Sequence, residues 1–239
     1  MLTAMDTEAI KRLVARAALD LLPESGVVGL GTGSTAKYFV EGVGELVAEG
    51  RQFKAVPTSD QSRAQALSLG IELLPDSGPW QIDVCVDGAD EVSADLDLIK
   101  GGGGCHTREK IVNRASALNV IVVDESKLSQ RLGQTWAVPV EVLAFGHEST
   151  RRLLERFGSV TLRHKQDEPW ITDSHNFIYD VRTDPIAAPA ELERDLACVP
   201  GVVETGLFVA RADVVLVGTA QGVRRIDRPG ANSMSTPAE

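Results

Sequence analysis

The sequence predicts an α/β protein: a mostly parallel sheet with helices on both faces, and a smaller α+β unit set into the chain after it. Three observations lead there. Strand-like and helix-like stretches alternate from about residue 10 to about residue 125. One short apolar run, Val27–Leu30, ends in Gly31-Thr32-Gly33-Ser34-Thr35 and passes directly into an amphipathic stretch, the spelling of strand, tight turn and helix. After Gln130 the rhythm changes to β-α-β-β-α-β. The first two describe a Rossmann-like layer and the third a ferredoxin-like unit.

In chain order, Ile10, Leu13, Val14, Ala17, Ala18 and Leu21 recur at helical spacing behind a candidate N-cap at Asp6 or Thr7. Val27–Leu30 is a strand and Ala36–Val47 a helix. Phe53–Val56 and Ser59–Leu69 repeat that pair, with Thr58-Ser59 placed as a helix cap. Ile71–Leu74, Ile82–Val86 and Leu96–Ile99 read as strands. A glycine run follows, then a helix over Thr107–Leu118 and a β-branched strand over Val120–Val123. In the second unit Val138–Leu143, Ser159–Leu162, Asn176–Val181 and Val202–Thr205 read as strands, with helices at Glu148–Phe157 and Ala190–Ala197. Asp213–Val217 and Val223–Ile226 are strands able to rejoin the first sheet. The expected division is residues 1–130 with 206–227 as the α/β domain, 131–205 as the ferredoxin-like domain, and 228–239 as a disordered tail.

Composition excludes several classes. Of 239 residues, 43% are hydrophobic and 24% charged, as in ordinary globular proteins. Asp and Glu outnumber Lys and Arg 34 to 24, a net charge of −10, which is the wrong sign for a nucleic-acid binder. No apolar run approaches the ~18 residues of a membrane span. No basic region followed by an apolar stretch marks the N-terminus as a secretory signal. Three cysteines, Cys85, Cys105 and Cys198, have no metal-ligand spacing and point to a reducing compartment; the expected location is the cytoplasm. The four histidines form no zinc pattern.

Three segments stand out for chemistry. In Gly29-Leu30-Gly31-Thr32-Gly33-Ser34-Thr35, glycines let backbone N–H groups approach a ligand and the following helix start favours an anion. Ser34 takes the third glycine position of the dinucleotide fingerprint, so that reading fails; an ordinary capped turn has the same spelling. Asp87-Gly88-Ala89-Asp90-Glu91 puts three carboxylates at the C-terminal end of a strand, where open α/β sheets bind ligands, and reads equally as a solvated acidic turn. Lys100-Gly101-Gly102-Gly103-Gly104 is followed by Glu109 on the first turn of the next helix. Four glycines in a folded domain are costly, at up to ~1 kcal/mol each in regular structure, unless backbone must approach a ligand. A lysine and a carboxylate flanking such a pocket could supply an electrophile and a base; a flexible hairpin-like loop before an ordinary helix-start glutamate has the same spelling. Lys11 and Lys127 carry weaker signals, and adjacent Cys105 and His106 make a poor thiol–imidazole pair.

Together these segments resemble the type A ribose 5-phosphate isomerases. The matching pieces are Gly31–Thr35, Thr58-Ser59, Asp87–Glu91, Lys100–Gly103 and Thr107-Arg108-Glu109-Lys110. Pro139–Val142, Pro200–Val203 and Gly206–Phe208 add to them, over roughly residues 11–226. The resemblance implies interconversion of D-ribose 5-phosphate and D-ribulose 5-phosphate through an enediolate, as part of the non-oxidative pentose phosphate pathway, with no metal or organic cofactor. It implies Glu109 as general base, with Lys100 and the N–H groups of Gly101, Gly102 and Gly103 stabilising the enediolate oxygens. Asp87 and Asp90 would hold sugar hydroxyls beside Gly88 and Ala89, with Asp87 also assisting either proton transfer between oxygens or ring opening. Thr32, Gly33, Ser34 and Thr35 would hold the phosphate, with Lys11 and Lys127. The implied partner is a small phosphosugar, not a membrane or nucleic acid, and the implied assembly is a homodimer or homotetramer. His106 stands where relatives usually carry an apolar residue; it either points away from the site or adds a titrating group beside Glu109.

Two other classes share a related architecture. A DeoR-type sugar-phosphate sensor would need a DNA-binding module, and only about 25 residues without a basic helix-turn-helix precede the first strand. An acyl-coenzyme A transferase wants a much longer chain.

Overall fold

The computed structural model describes residues 6–229. Helix α1 (Thr7–Leu19) leads into β1 (Ser25–Leu30), α2 (Ala36–Ala48), β2 (Gln52–Pro57), α3 (Asp60–Ser68) and the short β3 (Glu72–Leu73). Then come β4 (Ile82–Asp87), the two-residue strands β5 (Glu91–Val92) and β6 (Leu98–Ile99), α4 (His106–Arg114) and β7 (Ser116–Asp124). The second unit holds β8 (Val138–Val142), α5 (His147–Leu154), β9 (Ser159–Leu162), the small hairpin β10 (His164–Lys165) and β11 (Glu168–Pro169), β12 (Phe177–Arg182), α6 (Pro189–Ala197) and β13 (Val202–Thr205). The chain returns through β14 (Leu207–Phe208), β15 (Val214–Thr219) and β16 (Gly222–Asp227).

The main sheet has seven strands in the order β16-β15-β7-β4-β1-β2-β3, all parallel except the β15–β16 pair. Period-two alternation gives the central strands β4, β7 and β15 two apolar faces. Val28, Leu30, Val120, Val122, Val214 and Leu216 pack under α1, α2 and α3 with Phe39 and Val43. Their neighbours Ile121, Val123, Val215 and Val217 pack on the opposite face against Val92, Leu98 and Phe208. Cys85 meets Val112 of α4 on that same face.

Chain order reverses at β1. From there the chain winds outward through β2 and β3, then returns to add β4, β7 and β15 on the other side. The reversal opens a crevice at the C-terminal ends of β1 and β4, the place where open α/β sheets bind ligands. Gly31 makes the approach there possible: a Cβ on it would fall 2.5 Å from the Asp87 Cα.

The smaller sheet is antiparallel, in the order β13-β8-β12-β9, which is the ferredoxin-like 4-1-3-2 arrangement. Val138, Val140, Val142, Tyr179 and Val181 form its core with Leu154 of α5 and Leu196 of α6. A third sheet, β14-β6-β5, joins the two units, with Lys100 directly after β6.

Several boundaries differ from the sequence reading. The helix expected over Thr107–Leu118 ends at Arg114, because Ser116 and Leu118 already pair with Ile82 and Val84. The strand expected from Leu96 starts at Leu98; Leu96 has φ 60° and closes a turn in which its N–H donates to Ser93. The helix expected to reach Phe157 gives way to a 3-10 turn after Leu154. The expected tail starts at Arg228, whose guanidinium donates to the carbonyls of Ala212 and Leu96; residues 230–239 lie outside the described ones.

Glu91 shows a carboxylate used for folding. It is fully buried, and its oxygens accept from the N–H groups of Gly133, Thr135 and Trp136 at 2.9, 3.1 and 3.3 Å. Glu91→Ala strands three backbone donors beside a cavity. It is expected to lower unfolding free energy by about 3 kcal/mol or more, read from urea denaturation.

Candidate active site

Each segment singled out by its residues ends at the crevice. Thr32, Gly33, Ser34 and Thr35 come from the β1–α2 turn, and Gly88, Ala89 and Asp90 from the end of β4. Lys100, Gly101, Gly103 and Glu109 come from the glycine loop and α4, while Asp124 and Lys127 follow β7. All of these line one cleft of about 130 Å³.

One end of the cleft is an anion cradle. The first backbone bond of α2 runs from the Lys37 N–H to the Gly33 carbonyl at 3.1 Å, so the N–H groups of residues 33–36 precede the helix's own bonding. All four residues line the cleft, at the positive end of a 13-residue helix. Thr35 occupies the N-cap position without a side-chain cap bond. Thr32 is held by three bonds: its N–H donates to Asp87 Oδ1 at 3.0 Å, and its hydroxyl meets those of Thr58 and Ser59 at 2.8 and 2.7 Å. Ser59 also closes a capping box on α3 with Ser62. The Lys127 ammonium sits 5.4 Å from the Trp136 ring centre, on the cleft's rim.

The other end is a buried ionic cluster. Lys100 Nζ lies 2.9 Å from Asp87 Oδ2, 3.0 Å from Glu109 Oε2 and 2.8 Å from the Gly88 carbonyl. The three side chains are only 4, 5 and 6% exposed. Asp87 Oδ1 accepts from the N–H groups of Thr32 and Gly88, so both of its oxygens are occupied. Glu109 differs: its Oε2 meets only the ammonium, and among the described residues no backbone N–H donates to its carboxylate.

One cation between two carboxylates neutralises only one of them. Burial pushes the Glu109 carboxyl up to about 8; the Asp87 charge adds to this and Lys100 opposes it. Burial works against the Lys100 charge, but Asp87 and Glu109 overcome it and hold that ammonium above its ordinary value. The result is a fixed cation beside a carboxylate poised to exchange a proton near neutral pH.

The glycine loop is tightly specified. Asp90 Oδ2 accepts from the Gly102 N–H at 2.6 Å, and the Gly104 N–H donates to the Gly101 carbonyl at 2.9 Å. Gly101 has φ +103°, and a Cβ there would sit 2.6 Å from His106 Nδ1. His106 is thus packed behind the loop, fully buried, and burial lowers its pKa to about 3. It remains neutral and adds no titrating group beside Glu109. The Cys105 thiol turns to the Gly103 carbonyl at 3.4 Å, and no pair forms with His106.

Some expected site residues stand apart from the lining. Asp87 lies one layer behind Lys100, and Gly102 is turned to Asp90. Lys11 is outside the lining, 2.8 Å from Glu8 Oε1 on its own helix. Conversely, Asp124 and the loop-binding Arg163 carry no local motif and were missed. Asp124 was legible only as the acidic end of an apolar strand. Arg163 becomes visible only once the β9–β12 register is known.

The family described as ribose 5-phosphate isomerase A (phosphoriboisomerase A) matches residues 54–222. Ribose-5-phosphate isomerase A of Thermosynechococcus vestitus is 46% identical over 87% of this chain and 91% of its own. That of Thermococcus kodakarensis is 42% identical over 94% of this chain and all of its own. A solved D-ribose-5-phosphate isomerase in complex with phospho-erythronic acid superposes with a TM-score of 0.90 at 39% identity, covering 94% of this chain and all of that one. The chain belongs to the ribose 5-phosphate isomerase A family.

Proposed function

We propose that the buried Glu109–Lys100 pair is the proton-transfer centre of a ribose 5-phosphate isomerase, interconverting D-ribose 5-phosphate and D-ribulose 5-phosphate. The observation that carries this is the placement of Glu109, unpartnered except for Lys100, across one small cleft from the α2 N-terminus. A site that only bound sugar phosphates would have no use for a buried carboxyl raised toward neutral pH. The solved relative holds phospho-erythronic acid, an anion at both ends, which suits a cleft with an anion cradle at one end and a cation at the other.

The reaction follows from that arrangement. The substrate phosphate rests on the N–H groups of residues 33–36 with Lys127. Ionised Glu109 takes the proton from C2 of the open-chain aldose. The electrons of that bond form the C1–C2 double bond, and the carbonyl oxygen becomes an oxyanion. Lys100 and the Gly103 N–H stabilise that charge with donors fixed before it forms; one such donor is worth about 3 kcal/mol in other enzymes. Glu109 then returns its proton to C1, and a proton passes between the two oxygens, leaving the carbonyl at C2. Asp90 offers Oδ1 to a sugar hydroxyl while Oδ2 holds Gly102. Asp87 acts as a positioning residue: it holds Lys100 and, through its charge, raises Glu109. No step calls for a metal or organic cofactor.

The test is conversion of ribose 5-phosphate by purified protein in excess chelator. Glu109→Gln is expected to lower kcat about 10²–10⁴-fold; undiminished kcat would remove Glu109 from the role of base. The pH profile follows from the direction of the shift. A base raised by burial and Asp87 is protonated on the acid side, so kcat/KM falls below about pH 8 rather than below the ~4–5 of an ordinary carboxylate. Asp87→Asn deletes a neighbouring negative charge, so the acid limb is expected to move to lower pH. The ionisation of the substrate phosphate is common to both profiles and cancels in the comparison. Lys127→Ala is expected to raise KM about tenfold with kcat little changed, as loss of a remote phosphate contact does.

A further inference from the structure

We infer that Arg163, reaching in from the antiparallel unit, is a positioning residue that aims the Gly103 N–H at a reacting oxygen. The inference rests on the isomerase reading above. Arg163 directly follows β9, and its side chain is 11% exposed. Its Nη1 donates to the Gly101 carbonyl at 2.5 Å and to the Gly102 carbonyl at 3.3 Å. Its Nε donates to Asp180 Oδ2 at 2.9 Å and its Nη2 to Asp180 Oδ1, so the guanidinium plane is fixed by a forked bond to β12.

Peptide geometry turns these two contacts into an orientation. In a planar trans peptide the carbonyl and the next residue's N–H point in opposite directions. Holding the Gly101 carbonyl on Arg163 therefore sends the Gly102 N–H the other way, and there it meets Asp90 Oδ2 at 2.6 Å. Holding the Gly102 carbonyl sends the Gly103 N–H the same way. Gly103 lines the cleft, and among the described residues its N–H has no protein acceptor. Arg163 thus leaves one free donor, beside Asp90, where an enediolate oxygen would develop. The cation on the carbonyl side also polarises both peptides and strengthens their N–H groups as donors. His106 backs the loop from beneath Gly101, so the glycines are held despite their intrinsic freedom.

The experiment compares the wild type with Arg163→Met, Arg163→Lys and Asp180→Asn. Melting temperature is recorded with kcat and KM for ribose 5-phosphate. Competitive inhibition is measured with phospho-erythronic acid and, separately, with inorganic phosphate. Arg163→Met is expected to lower kcat about 10- to 100-fold with KM within about threefold. Phospho-erythronic acid should then bind more weakly while inorganic phosphate is unaffected, because only the first reaches the loop. Arg163→Lys, which keeps the charge but loses the fork, should fall between wild type and Arg163→Met. A folded Arg163→Met with kcat within about twofold of wild type overturns the inference, as does a loss confined to melting temperature. If Arg163→Met does not fold, the same criteria are applied to Arg163→Lys and Asp180→Asn. Failure of the isomerase reading is separate: there the wild type itself would leave ribose 5-phosphate unchanged.

Discussion

The Lys100 ammonium, buried between Asp87 and Glu109, is the contact on which the rest of the site depends. Three pieces of chain meet there: the end of β4, the residue after β6 and the first turn of α4. A buried ion cluster with one cation and two carboxylates is a poor source of stability, since desolvation works against every member. Its organisation is what counts. Asp87 has both oxygens occupied by backbone N–H groups and Lys100, so it is fixed in place. Glu109 has no comparable set of donors, and burial with the Asp87 charge outweighs what Lys100 does to lower its pKa. Two carboxylates on one lysine thus take different characters, and the difference lies in their backbone partners.

The same constraint explains how a chain at −10 accepts an anion. Average charge matters less than where unpaired donors converge. The switch point of the sheet brings the start of α2, the glycine loop and Lys127 to one cleft. The acidic groups nearby are engaged: Glu91 in three backbone bonds, Asp87 in two and Lys100, and Asp90 with Gly102. Their negative charge is spent on protein donors, while the N–H groups at the start of α2 stay open to an anion.

What the sequence made legible was local. Gly31–Thr35, Asp87–Asp90 and Lys100–Glu109 each place chemistry within a few residues of a strand end, so spelling and position coincide. The alternation of elements was equally visible, because each strand and helix carries its own apolar period. Two-residue strands such as Glu91–Val92 and Leu207–Phe208 are too short to show any period. The helix-to-strand change at Ala115 was hidden because Asn113–Ala117 contains no Gly or Pro to mark a break, and only pairing with β4 fixes the boundary. Within the acidic run, sequence could not separate Glu91, which holds a distant loop, from Asp90, which faces the cleft. Lys11 was read onto the site, yet its nearest partner is Glu8 on the same helix.

Apart from Asp124, the contacts that sequence missed share one property: they tie the segment bearing Glu109 to the antiparallel unit. Glu141 on β8 accepts from Thr107 at 2.5 Å, from Thr172 at 2.9 Å and from Asn176 at 2.8 Å, fixing the first turn of α4. Lys110, one residue after Glu109, is buried between Glu193 at 3.0 Å and Glu204 at 2.8 Å. Arg163 takes the glycine-loop carbonyls. These three contacts bracket the segment from Gly101 to Lys110, on which Glu109 and the loop donors sit. A four-glycine loop has no intrinsic reason to keep one conformation, and a helix of nine residues is short to hold Glu109 by itself. The smaller unit supplies that rigidity through charged side chains, whose directional bonds set orientation where apolar packing would set only distance. Its sheet is therefore part of the site's construction, although none of its side chains lines the cleft.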